Sequence, residues 1–204
     1  MNAHWTAPWL LAALVATWGA TTMAFAQTTY RGYEAPPYTV EARDGPVELR
    51  DYAPFTVAEV TVSGRRGPAI QTGFRILAGY IFGRNQTPAG ASEKIAMTVP
   101  VTQAKAEEGW VIRFMMPAGK RLDALPAPEN AAVRLTRTAP ERMIVMRFSG
   151  RATTRALTEQ AERLAAYARA NDLEITGAPR FMFYDDPFTL PWRRRNEVGL
   201  VLAD

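Results

Sequence analysis

Apolar residues recur along this chain with two periods. From Pro68 to Phe82, Ile70, Phe74, Leu77, Ala78 and Ile81 fall three or four positions apart, the spacing of one helix face. Pro68 suits a first helical turn and Gly83 a stop. A second stretch, Thr154 to Asn171, puts Leu157, Ala161, Leu164, Ala165 and Ala168 on one face, with Thr154 placed to cap it. Elsewhere the period is two. Ile95, Met97, Val99 and Val101 alternate, as do Trp110, Ile112, Phe114 and Met116; later, Phe181 to Tyr184 and Val198, Leu200 and Leu202 predict two more strands.

These elements occur in two copies. The segment VELRDYAPFTVAEVTVSGR from Val47 aligns without gaps on VRLTRTAPERMIVMRFSGR from Val133. Val47/Val133, Leu49/Leu135, Ala53/Ala139, Pro54/Pro140, Ser63/Ser149, Gly64/Gly150 and Arg65/Arg151 are identical pairs. Each copy reads as strand, Ala-Pro turn, strand and Ser-Gly stop, a hairpin used twice. A helix and two strands follow each, so the predicted unit is β-β-α-β-β. The class is α+β: a duplicated unit forming a distorted antiparallel barrel-like sheet flanked by two helices. The pseudo-repeats span 38–116 and 133–204, and the Pro-rich run Leu125-Pro126-Ala127-Pro128 between them reads as a crossover.

One apolar stretch belongs to neither copy. Trp9 to Thr22 is uncharged and ends near Ala24-Phe25-Ala26, the small-x-small pattern cut by signal peptidase. Residues 1–26 are therefore expected to be a signal peptide, 27–37 an extended lead-in, and 38–204 a single domain, periplasmic or secreted, with no membrane span after cleavage. The competing reading is an uncleaved anchor, because the run approaches the length that crosses a bilayer.

Composition narrows the chemistry. The chain has no cysteine, and its one histidine, His4, lies in the signal segment. A catalytic triad, a Cys/His dyad, a thiolate zinc site and an imidazole base are all excluded from the mature protein. Neither zinc nor a nucleotide is expected. Stability must come from packing, since no disulfide restricts the unfolded chain. Of 24 basic residues 21 are arginine, but they are scattered among 20 acidic ones, a balance that does not call for nucleic acid. Glu34, Glu41, Asp44, Glu48 and Asp51, interleaved with Arg43 and Arg50, read as a solvated sheet face rather than a metal site. Asp185-Asp186 before Pro187 read as turn formers.

Five separated motifs carry a resemblance: GFRILAGYIFGRN from Gly73, EKIAMTVPV from Glu93, RLDALPAPENAAVRL from Arg121, RFSG from Arg147 and YDDPFTLPWRRRNEV from Tyr184. Together they resemble the SOUL haem-binding protein family across nearly all of the mature chain. The resemblance implies a distorted barrel with two flanking helices and reversible, non-covalent binding of haem or another tetrapyrrole in an apolar cleft, without catalysis. It implies that the cleft is lined by the helix carrying Phe74, Arg75, Leu77, Ala78 and Ile81, and by Phe188, Leu190 and Trp192 ahead of the RRNEV motif. Arg75 and Arg193 are the expected partners of haem propionates. Some members are proposed to ligate iron through a histidine on the first hairpin, and this chain has none there. Met97 and Tyr80 are the weak axial candidates nearest the expected cleft.

Two other classes stay open on sequence alone: a small-molecule-modifying enzyme using Tyr and carboxylates, and an envelope protein-interaction module, its partner unspecified, with a vestigial cleft. The exported chain is expected to begin at Gln27. Intact mass and N-terminal sequencing of protein from the native envelope check this, and a retained Met1 would mark an anchor.

Overall fold

A computed structural model describes residues 28–203, so the expected signal peptide, Gln27 of the lead-in and Asp204 lie outside the described residues. The lead-in is a small hairpin, β1 (Thr28–Tyr30) paired with β2 (Tyr33–Ala35), rather than a plain extended strand. There follow β3 (Tyr38–Asp44), β4 (Val47–Tyr52), β5 (Thr56–Val62), α1 (Arg66–Ile81), the short β6 (Asn85–Gln86), β7 (Val101–Ala106) and β8 (Gly109–Met115). The second half comprises β9 (Ala127–Pro128), which pairs with β6, then β10 (Arg134–Arg137), β11 (Glu141–Phe148), α2 (Thr154–Ala170), β12 (Ile175–Phe183) and β13 (Asn196–Leu202).

Nine strands form one antiparallel sheet in the order β10-β5-β8-β7-β12-β13-β11-β4-β3. The class is α+β, as expected, but the sheet is open: β10 and β3 are its edges, and it does not close into a barrel. Read outward from its centre, β7-β8-β5-β10 on one side matches β12-β13-β11-β4 on the other. That is a pseudo-twofold axis between β7 and β12.

The repeated strand pair is not a hairpin. β4 pairs with β11 of the second copy, Leu49 opposite Ile144, while β5 pairs with β10, Ala58 opposite Leu135. Each copy lends its first strand to the other. The Ala-Pro pairs that read as tight turns are therefore corners where the chain leaves one side of the sheet for the other. Sequence alternation cannot tell these cases apart, because pairing partners leave no mark on the period.

Both helices lie on one face. Leu77, Tyr80 and Ile81 of α1 pack over Ala58, Val60, Ile112 and Phe114, while Leu157, Leu164 and Ala168 of α2 pack over Ile144, Val198 and Leu200. Trp110 touches both clusters. Near the axis Arg66 donates to the carbonyl of Ala152, its equivalent in the repeat, and to Gln103 on the sheet. α2 is capped one residue earlier than the sequence suggests, by the hydroxyl of Thr153 accepting from Ala156 N–H. Ile95 to Pro100 is not a strand; Ile95 is bound to the end of α1 through the Ile81 carbonyl, and Thr98 to Met115, so its alternation reflects a segment turning over the sheet end.

α1 sits close on the sheet because Gly73 has no side chain. A Cβ there would lie 2.5 Å from Ile112 Cδ1 and 3.2 Å from Val60 Cγ1. Gly73→Val is expected to destabilise the protein by about 1–3 kcal/mol through overpacking, read by urea unfolding.

Candidate functional site

The expected cleft residues divide by their place on α1. Leu77, Tyr80 and Ile81 face the sheet and are buried, Ala78 is half-buried, and Arg75 is exposed. Phe74 stands 44% exposed with its ring edge-on to Phe114 at 5.3 Å. Between the outer flank of α1 and the crossover entering β10 is a concavity of about 500 Å³, its wall including Arg75, Ile76, Tyr80, Arg84 and Asn130. Met97, 45% exposed, lies on the segment after Ile95.

Tyr80 is held for structure. Its hydroxyl donates to the Pro126 carbonyl at 3.0 Å, tying α1 to the Pro-rich crossover. Burial and then the nearby charge of Glu93 push its pKa up to about 12, so the phenolate form that would bind a metal is disfavoured.

Phe188, Leu190, Trp192 and Arg193 lie on the loop joining β12 to β13. Phe188, Leu190 and Pro191 line a different concavity, of about 570 Å³, against Arg151 to Thr153 ahead of α2. The two walls implied by the resemblance thus border two separate concavities. A third, of about 360 Å³, lies on the sheet face away from the helices, among Thr102, Arg113, Glu141 and Arg180. There Arg180 is paired with Glu141 at 2.6 Å and Arg113 with Glu59 at 2.6 Å.

The densest polar cluster in the protein escaped the sequence reading. Glu197, fully buried on β13, accepts a bidentate pair from Arg50 of β4 at 2.9 and 3.0 Å, two bonds from Arg195, and the Tyr184 hydroxyl at 2.9 Å. Arg50 also reaches Glu48 at 2.7 Å and Tyr52 at 3.0 Å, and stacks over Tyr38. Burial alone would raise the Glu197 pKa, but the bonds and charges of Arg50 and Arg195 outweigh it and hold the carboxylate below its ordinary value. Burial, together with Glu197's charge, drives the Tyr184 hydroxyl well up. Arg195/Glu197 and Glu48/Arg50/Tyr52 are spaced two apart, the one signal that puts them on a common sheet face. Every member has a partner, so the cluster is a lock and offers no vacant acid or base.

The acidic residues singled out in the sequence are also engaged at Asp185, Asp186, Glu41 and Asp51. Asp185 is buried against Arg31 at 2.9 Å, and Asp186 accepts from the backbone of Phe188 and Thr189. Arg142 pairs with Glu41 and lies 3.8 Å from Asp51. No group of three or more metal-ligating residues occurs among the described residues.

Comparison with known proteins gives a consistent answer. Residues 33–201 match a family described as SOUL heme-binding protein. Heme-binding protein 2 of Mus musculus is 28% identical over 81% of this chain and 82% of its own length, and Heme-binding protein 2 of Homo sapiens 29% identical over 83% and 84%. Among solved structures, the EcmrR C-terminal domain superposes with a TM-score of 0.58 at 11% identity, covering 82% of this chain and 98% of its own. A hydrolase from Listeria innocua superposes at 0.52 and 14% identity, covering 80% and 94%. At these identities the structural likenesses speak for the fold.

Glu197 sets a testable pH dependence. With its folded pKa depressed, it contributes stability that is present above the ordinary value of 4.5 and is lost as pH falls through the folded pKa. Glu197→Gln strands two buried guanidinium groups and is expected to lower neutral-pH stability by about 3–5 kcal/mol. Unfolding titrations below pH 4.5 should show a flatter acid decline in the variant than in the wild type.

Proposed function

The chain belongs to the SOUL haem-binding protein family, and from that premise we propose that it binds haem or a related tetrapyrrole non-covalently, as an exported binding protein rather than an enzyme. The observation that carries the reading is the family match over residues 33–201, supported by relatives named for haem binding.

The physical fit favours the outer flank of α1. A tetrapyrrole is a flat apolar disc with carboxylates on one edge, and it needs an apolar shelf beside cations. Ile76 and Ala131 supply the shelf in the concavity that Arg75 and Arg84 border, while the exposed ring of Phe74 lies on the other side of the helix. Haem, when bound, would bring its iron as a site for redox change and ligand coordination. The residues here suit the disc and its carboxylates better than the iron: Tyr80 is buried and hydrogen-bonded, and no cysteine or post-signal histidine exists. Binding would rest on burial of the porphyrin faces and on charge-assisted bonds to the propionates.

Binding also suits the engaged state of the polar groups better than catalysis does. The buried tyrosines and Glu197 are bonded to one another and to arginine, which leaves them poor proton donors or acceptors for a substrate.

Iron-free protoporphyrin is expected to bind within about tenfold of haem, a difference near 1.4 kcal/mol, by fluorescence quenching and Soret titration. Arg75→Ala should weaken haem by about 1–3 kcal/mol with ligand-free stability unchanged. Unaltered affinity in the folded variant would move the carboxylate contact to Arg84, and failure of both pigments to bind would end the reading.

A further inference from the structure

The loop between β12 and β13 carries a concentration of apolar surface that nothing in the fold uses. Phe188 is 94% exposed, Trp192 69% and Leu190 47%, all within five residues. Large apolar groups so placed are normally buried by something outside the chain.

The loop is not slack. Asp186 accepts from Phe188 N–H at 2.7 Å and from the Thr189 hydroxyl at 3.0 Å. Arg194 donates to the Thr189 carbonyl at 2.7 Å and to that of Pro187 at 2.6 Å, while Gly150 N–H holds Pro191 at 2.9 Å. Asp185 anchors the base through Arg31 and the Arg195 N–H. With its backbone tied from within, the loop pre-forms a tip whose apolar side chains stay largely in solvent, and docking would need little further ordering.

Charge selects the occupant. Arg151, which lines the concavity beneath the loop, and Arg193 on the loop itself are exposed and have no carboxylate partner among the described residues. Of the loop's own carboxylates, Asp185 is buried against Arg31, and Asp186, though exposed, is engaged in capping the loop backbone. A second copy is disfavoured because tip-to-tip packing would bring these cations together. An aromatic tip flanked by arginine matches the interface of an anionic bilayer: tryptophan settles at headgroup depth, phenylalanine and leucine enter the acyl boundary, and guanidinium groups pair with lipid phosphate. Among the described residues no helix is long and apolar enough to cross a membrane.

We infer that Phe188, Leu190 and Trp192, framed by Arg151 and Arg193, dock this protein peripherally on membranes containing anionic phospholipid. This does not depend on tetrapyrrole binding at α1.

The absence of cysteine makes the test direct, since one introduced thiol can be labelled alone. Leu190→Cys carrying an environment-sensitive nitrobenzoxadiazole probe is compared, in the full chain, with the same probe at Glu162→Cys on the exposed side of α2. The vesicles are phosphatidylcholine alone, or two parts phosphatidylcholine to one part phosphatidylglycerol. The expected result is a blue-shifted, brighter emission at position 190 with the anionic vesicles, none at 162, and reversal by added salt. Phe188→Ser with Trp192→Ser should weaken the response by about tenfold or more. A silent probe at 190, whether the protein floats with the vesicles or not, overturns the inference. So does a shift at 190 that needs no vesicles and grows with protein concentration, which would mark self-association. Haem titration of the same labelled protein reads α1 separately, so either result can fail without the other.

Discussion

The buried pair of Arg50 and Glu197 joins the two copies of the repeat at the place where their strands have been exchanged. Arg50 sits on β4, a strand of the first copy, and reaches across β11 to Glu197 on β13, both of the second. An unpaired charge in that position would be strongly destabilising, so the pair fixes which strands are neighbours more strictly than hydrophobic alternation does. Tyr52, Tyr184, Arg195 and Glu48 complete its bonding, and with the contact of Tyr30 on Tyr184 the N-terminal hairpin is drawn onto the same face. The helix face and the opposite face of the sheet are thereby given different chemistry. One is an apolar core under α1 and α2, and the other is an ionic and aromatic network.

Much of this was legible in the residues. The 3.6-residue stripes of α1 and α2 are strong because each helix faces a packed partner on one side only, and the alternation in β8 and β13 shows because the helix-covered sheet face takes the apolar side chains. The duplication was legible because the Ala-Pro and Ser-Gly-Arg landmarks recur without gaps. Strand exchange was not, because Leu49 has the same reason to be apolar whether it lies opposite Ala58 or Ile144. Ile95 to Val101 misled for a related reason: Ile95 is buried and Met97 exposed, so the apolar alternation there matches no alternation of burial and no ladder.

The expected site residues were legible in kind but not in grouping. Phe74 and Arg75 stand exposed on α1, whereas Leu77 and Ile81 on the same helix serve the core, a distinction of about a hundred degrees per residue that a short apolar run blurs. Phe188 and Trp192, expected to line a cleft, stand in solvent in the structure, on a loop tied by Asp186 and Arg194. The polar lock was missed because its members are scattered from Glu48 to Glu197, and no local window contains both ends of the ion pair.

The exchange of first strands also governs the order in which the fold can be built. β5 has β8 on one side early, but its other neighbour, β10, comes from beyond the crossover; β4 likewise waits for β11. A chain released only as far as β8 therefore holds three strands with open edges, since β7 also waits for β12, and each is a template for the wrong partner. Contacts so distant in sequence make folding slow and late, completed only when the second copy is present in full. Two half-chains would face the same geometry, each able to finish its sheet only by taking a strand from the other, which is the assembly of a strand-swapped dimer joined by a tether.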